Sequence, residues 1–132
     1  MTIHSIVFID SRVADHQTLV AGLGADTAWV LLDAEHDGLL QMQATLTDKL
    51  DLDSIRIIAH GRPGAVLLGS SELSQETIDE HVLVLGAIGQ SLGAQGDVQI
   101  YACEVGQGTV GHSFVRTLSE AVGAYVAVAS SP

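Results

Sequence analysis

The fold of this chain is decided by one stretch, SIRIIAHGRPGAVLLGSSEL, which covers residues 54–73. Its first six residues, Ser54–Ala59, are mostly apolar without strict alternation, which is typical of a strand buried on both faces of a parallel sheet. His60-Gly61 stands at the carboxyl end of that strand. Pro63-Gly64 then predicts a turn and Ala65–Leu68 is strand-like, so a small β-hairpin is expected directly after the buried strand.

Apolar runs and helix-like stretches alternate along the rest of the chain. Strands are predicted over Ile3–Ile9, Ala28–Leu32, Asp97–Ala102 and Tyr125–Ala129, and helices over Ala14–Leu23, Gly38–Leu50, Ser74–Leu92 and His112–Val122. Strands that alternate with helices form right-handed βαβ units and a parallel sheet. The sequence therefore predicts one α/β domain over residues 1–132.

The composition excludes several classes of partner. The net charge is −11, with five Lys and Arg against sixteen Asp and Glu. Nucleic acid and anionic membranes need a basic face, so neither is expected as a partner. We expect no membrane insertion, because no apolar run is long enough to span a bilayer, and no secretory signal in the opening residues MTIHSIVFID. The abrupt end at residues 130–132 suggests a piece of a longer polypeptide.

No cofactor or metal is predicted. The chain has a single cysteine, which excludes an internal disulfide and any site built from several cysteines. GQGTVG (residues 106–111) fits the dinucleotide pattern of glycines, but it follows the fourth strand, where a dinucleotide site needs it after the first. The acidic run DKLDLD (residues 48–53) lacks the glycine and the spacing of a calcium loop.

Two chemically reactive residues follow neighbouring strands. His60 stands at the end of the third predicted strand and Cys103 at the end of the fourth. The carboxyl ends of parallel strands meet at one edge of the sheet, which is where α/β proteins place their sites. A cysteine nucleophile needs a base nearby, and Gly61 would allow its N–H to approach a substrate carbonyl. The pair predicts a cysteine nucleophile, Cys103, with His60 as general base.

The order of these motifs resembles a known group of peptidases. A strand ending in His-Gly, then a hairpin and helix, then a strand ending in Ala-Cys is similar to the clan of caspases, gingipains, legumain and separase. The whole chain resembles the bacterial family called domain of unknown function 4347. The matching stretches are IVFIDSRVADHQTLVAGL (residues 6–23), VLLDAEHDGLLQM (30–42), IRIIAHGRPGAVLLGSSEL (55–73) and IYACEVGQGTVGHSFV (100–115).

This resemblance implies a caspase-like three-layer fold: a mostly parallel five-stranded sheet of order 2-1-3-4-5 with helices on both faces and the hairpin after strand 3. It implies catalytic roles for His60 and Cys103, and an oxyanion hole formed by the N–H groups of Gly61 and Cys103. The substrate pocket would take its acidic groups from Asp10, Asp37 and Glu104, which would favour a basic P1 side chain.

The resemblance also implies a context. Such modules occur near the N-termini of very large secreted or surface-attached bacterial proteins, so we expect this localisation, with a peptide or the parent polypeptide as partner.

Three alternative hypotheses stay open at this point. The domain could be an inactive relative that serves surface retention, secretion or partner binding, or a hydrolase of a non-peptide acyl group. Asp10, Asp33 and Asp37 could instead cap turns and helix starts, since Asp37 before Gly38 suits a helix N-cap.

Overall fold

The computed structural model describes residues 3–129, in which strands and helices alternate as the sequence predicts. In chain order the elements are β1 (Ser5–Asp10), α1 (His16–Ala21), β2 (Thr27–Leu32), α2 (Gly38–Leu46), β3 (Leu52–Ile58), β4 (His60–Arg62), β5 (Ala65–Leu68), β6 (Ser71–Ser74), a 3-10 turn (Ile78–His81), α3 (Val82–Gly89), β7 (Leu92–Tyr101), α4 (Gly108–Val122) and β8 (Tyr125–Ala129). The abrupt end at residues 130–132 lies outside the described residues.

Five strands form one parallel sheet in the order β2-β1-β3-β7-β8. Because β7 and β8 are the fourth and fifth strands of this sheet, the predicted order 2-1-3-4-5 is confirmed. Its central row is apolar: Phe8 lies beside Ile57, and Ile57 beside Ile100. The α/β class and the mostly parallel sheet are therefore as predicted.

Helices cover both faces of the sheet unequally. On one face, α2, α3 and α4 pack over the side chains that include Phe8, with Phe114 of α4 fully buried among them. On the other face the short helix α1 packs Leu19 against Val7 and Ile58. The alternation of side chains along each strand divides the core into these two layers. Within residues 3–129 no helix is long and apolar enough to cross a membrane.

The region after β3 differs from the prediction. The expected hairpin is a three-stranded antiparallel sheet, because Ser71–Ser74 pairs with Ala65–Leu68 as a further strand. The long helix predicted over Ser74–Leu92 is shorter and begins with the 3-10 turn. The Thr77 hydroxyl accepts a hydrogen bond from the Ser74 N–H (2.9 Å). Such local side-chain bonds compete with the first turn of a helix.

Candidate functional site

His60 and Cys103 lie at the carboxyl edge of the parallel sheet. His60 opens β4 directly after β3, and Cys103 follows the end of β7 by two residues. Both side chains are exposed, and both line one cleft of about 340 Å³ between this edge and the segment that leads into α1. The two residues singled out from the sequence therefore share a solvent-accessible cavity.

A backbone carbonyl orients the His60 ring. The His60 Nε2 lies 3.1 Å from the carbonyl oxygen of Arg12, in the loop after β1. A carbonyl can only accept, so in the neutral ring this contact places the hydrogen on Nε2 and leaves Nδ1 as the nitrogen with a free lone pair. His60 is thereby held in the tautomer that presents Nδ1 as a base.

Close packing positions the loop that carries Cys103. Ala102 anchors its start by donating a backbone hydrogen bond to Ala129 of β8 (3.0 Å). Val105, 1% exposed, packs against Gly61, where an added Cβ would lie 2.5 Å from the Val105 Cγ2. Gly61 thus has no room for a side chain, and its contact with Val105 sets the spacing between the His60 strand and the Cys103 loop.

The backbone N–H of Gly61 faces away from the neighbouring strand. Pro63 and Gly64 join β4 to β5, so that Arg62 pairs with Ala65 and Gly61 with Val66. In a two-residue hairpin the closing pair exchanges hydrogen bonds and the next pair does not. The Gly61 N–H is therefore available to another acceptor.

The Cys103 N–H donates to no other group within residues 3–129. Gly61 directly follows His60 but is not among the residues that line the cleft of His60 and Cys103. A free backbone N–H beside a nucleophile can bind the oxygen of a carbonyl under attack.

The carboxylate of Asp10 is occupied within the fold. It is 1% exposed and accepts from the Arg12 Nε and Nη2 (both 2.7 Å), the Arg12 backbone N–H (3.0 Å) and the Gly69 N–H (2.9 Å). Burial would raise the pKa of Asp10, but these hydrogen bonds outweigh it and hold the pKa below its ordinary value. Asp10 braces the Arg12 loop and does not line the His60 and Cys103 cleft.

The other two acids of the expected substrate pocket do not line the cleft either. Asp37 is the N-cap of α2, where its Oδ1 accepts from the Leu39 N–H (2.9 Å) and the Leu40 N–H (3.4 Å), so the alternative capping role is confirmed. Glu104 has a left-handed backbone (φ 63°) and lines a separate pocket of about 220 Å³.

The sequence interpretation missed three residues of the site. Arg12 links Asp10 to His60, and the Asp-x-Arg spacing after the first strand was its only local signal. Tyr101 and Leu19 line the cleft, but as apolar strand and helix residues they looked like ordinary core. In the described part of the chain no three His, Cys, Asp or Glu side chains are grouped as metal ligands would be.

Comparison with known families assigns the domain as a whole. The family model described as Domain of unknown function (DUF4347) matches residues 6–132. The chain belongs to the DUF4347 family. No curated protein and no solved structure matches it. The DUF4347 match includes both His60 and Cys103, so the cleft lies inside the family's own domain.

Proposed function

We propose that this DUF4347 domain is a caspase-like cysteine hydrolase, an endopeptidase that cleaves peptides or its parent polypeptide. One observation carries the proposal: His60 and Cys103 line the same open cleft, and the Arg12 carbonyl holds His60 with Nδ1 free. A nucleophile, a base and a group that orients the base are the three parts of a nucleophilic site. The parent would be a large secreted or surface-attached bacterial protein.

In the proposed reaction His60 Nδ1 takes the thiol proton of Cys103 as its Sγ attacks the substrate carbonyl carbon. A C–S bond forms and the carbonyl electron pair moves to oxygen, where the N–H groups of Gly61 and Cys103 bind the negative charge. The C–N bond then breaks, and the leaving amine takes the proton from Nδ1.

Water completes the cycle. It attacks the thioester carbon while Nδ1 accepts its proton, the C–S bond breaks, and Nδ1 returns the proton to Sγ. A carboxylic acid and an amine leave, and the site is restored. Because the Nε2 hydrogen bond to the Arg12 carbonyl persists, the charged imidazolium that forms transiently stays oriented.

Alkylation of the thiol tests the pair directly. Since the chain has one cysteine, any iodoacetamide adduct seen by intact mass spectrometry reports on Cys103. We expect His60→Ala to slow alkylation at pH 7 at least about tenfold. His36→Ala is the matched control, because this exposed histidine pairs with Asp33 outside the cleft and should leave the rate unchanged. Equal rates for wild type and His60→Ala would show that His60 does not act on the thiol.

Self-processing needs the longer protein. We expect the full-length parent to be cleaved when it carries the wild-type domain, and to stay intact with Cys103→Ala or His60→Ala. Mapping the new N-terminus by mass spectrometry identifies the cleaved bond. Identical fragments from wild type and Cys103→Ala would contradict self-processing.

A non-catalytic role in surface retention, secretion or partner binding is the second candidate, and α3 favours it. This helix has the sequence VLVLGAIG, without a charged residue, and exposes Leu83 to 88% and Val82 to 45%. Exposed apolar side chains in a cluster are typical of contact surfaces, here for a contact with the parent polypeptide. Under this proposal Leu83→Asp abolishes retention of the parent at the cell surface, while Cys103→Ala leaves it intact; the opposite pattern contradicts it.

A further inference from the structure

The cleft beside Cys103 is lined mainly by apolar surface, although Asp15, Thr18 and His60 also line it. Its floor is formed by the buried residues Ile58, Ala59 and Ala102, and one wall by the side chains of Leu19 and Tyr101. These groups come from α1, from β3 and β7, and from the residues directly after these two strands, which converge at this end of the sheet. A floor of this kind favours an apolar side chain, because burying it releases water from both surfaces.

Few charges face this cleft. No Lys or Arg lines it, and the lining residues include one carboxylate, that of Asp15. Asp15 is exposed at the start of α1, in a left-handed conformation, and its side chain caps no helix N–H. An acidic substrate side chain would meet Asp15 and the net charge of −11, with no Lys or Arg among the lining residues to bind it. A basic substrate side chain would gain only an ion pair with this solvent-exposed carboxylate, and such a pair contributes little to the free energy of binding.

The volume of the cleft also limits which part of a substrate can occupy it. About 340 Å³ lies at the lower end of the roughly 300–1,000 Å³ typical of ligand pockets. Such a space holds one large side chain beside the thiol and leaves the polypeptide on either side in the open. Because His60 and Cys103 themselves form part of the lining, that side chain belongs to the residue whose carbonyl is attacked.

We infer that the cleft is the P1 pocket and that it selects an uncharged apolar side chain, such as leucine or phenylalanine. This inference rests on the proposed cysteine hydrolase function and adds the class of substrate. Leu19 and Tyr101 are the residues that determine it, since their side chains form the wall that the P1 group contacts. Asp15 stays at the solvent edge and plays no part in recognition.

Matched covalent inhibitors test this inference on the full chain. Three peptidyl acyloxymethyl ketones, identical except for Leu, Lys or Asp at P1, are compared by the rate at which each adds to Cys103, read by intact mass spectrometry. We expect the Leu compound to react at least about tenfold faster than the other two, the discrimination that apolar pockets give. Asp15→Asn should leave the rate with the Leu compound unchanged.

A substitution in the wall of the cleft should change the rate with the Leu compound but not the general reactivity of the Cys103 thiol. Leu19→Ser is expected to reduce the rate with the Leu compound at least about fivefold while iodoacetamide alkylation stays the same. Leu40→Ser, at an exposed position of α2 outside the cleft, is the matched control.

The results that overturn the inference are distinct. Equal rates with all three compounds, or a faster Lys compound whose advantage disappears in Asp15→Asn, overturn the apolar pocket. No reaction with any of the three, while His60-dependent iodoacetamide alkylation persists, also overturns the pocket but leaves the His60 and Cys103 pair in place. Loss of the His60 dependence itself refutes the proposed function.

Discussion

The buried carboxylate of Asp10 connects the end of β1 to the turn between β5 and β6, and Asp10→Asn removes that connection with almost no change in shape. The Arg12 side chain lies between them, donating to both Asp10 oxygens and to the Gly69 carbonyl (2.6 Å). In the variant one oxygen becomes an NH2 group, which faces hydrogen-bond donors instead of accepting from them. We predict that the fold loses stability and that His60 loses its orientation.

The size of the loss in stability follows from the hydrogen-bonding groups that Asp10→Asn leaves unpaired. Hydrogen bonds to a charged group contribute about 1.5–3 kcal/mol each, and breaking a buried ion pair from one side costs about 3–5 kcal/mol. The Arg12 side chain is 36% exposed, so water recovers part of its loss. We therefore expect the free energy of unfolding to fall by about 2–3 kcal/mol.

Urea denaturation at pH 7, followed by circular dichroism, measures this loss. Asp48→Asn is the matched control, because Asp48 is 79% exposed in its pair with Lys49 and should change little. The pH dependence gives a second readout. Since the folded protein holds the pKa of Asp10 below the value in the unfolded chain, its contribution is complete above about pH 4 and is lost as the pH falls further. Asp10→Asn should lose less stability in acid than wild type.

The functional part of this prediction depends on the Arg12 carbonyl that binds His60 Nε2. In Asp10→Asn, under conditions where the variant is fully folded, we expect Cys103 alkylation to slow toward the rate of His60→Ala. A loss of stability below about 0.5 kcal/mol would refute the reasoning on the buried pair. A destabilised variant with wild-type alkylation would show that the Arg12 loop does not orient His60.

Three further substitutions test other parts of the structure. Gly61→Ala forces a Cβ against Val105; we expect a loss of about 1–3 kcal/mol and slower Cys103 alkylation, and an unchanged rate would contradict the role of this contact in spacing the loop. Asp37→Ala removes the N-cap of α2 and should cost about 1 kcal/mol in urea denaturation, with alkylation unaffected. Phe114→Ala empties the fully buried core under α4 and should cost about 3–5 kcal/mol; a change below 1 kcal/mol would place Phe114 outside the core.

Much of the fold could be predicted because its signals are local. The apolar run of Ser54–Ala59, with a polar residue at its end, marks a doubly buried strand in one short window. The same holds for the strand before Cys103 and for the Asp37-Gly38 cap. Helix and strand limits were less accurate, because side-chain hydrogen bonds such as that of Thr77 decide where a helix can begin.

The environment of the site could not be predicted in the same way. Asp10 is a strand-end acid in the sequence, and nothing nearby shows that it binds Gly69, 59 residues further along the chain. The contact of His60 with Arg12 spans 48 residues. Such contacts depend on where two loops meet after the sheet has assembled, so a candidate for a substrate pocket became a structural ion pair.

By itself the sequence determined the parallel α/β sheet and the placement of His60 and Cys103 at two strand ends, since these follow from the apolar pattern of single segments. Only the tertiary structure decided what surrounds them: the Arg12 carbonyl on His60, the close approach of Gly61 to Val105, and the apolar cleft under α1. The physical reason is how far apart along the chain the contacting residues lie. Burial along a strand is set by neighbouring residues, whereas a site is built from loops that meet only when distant strands pair.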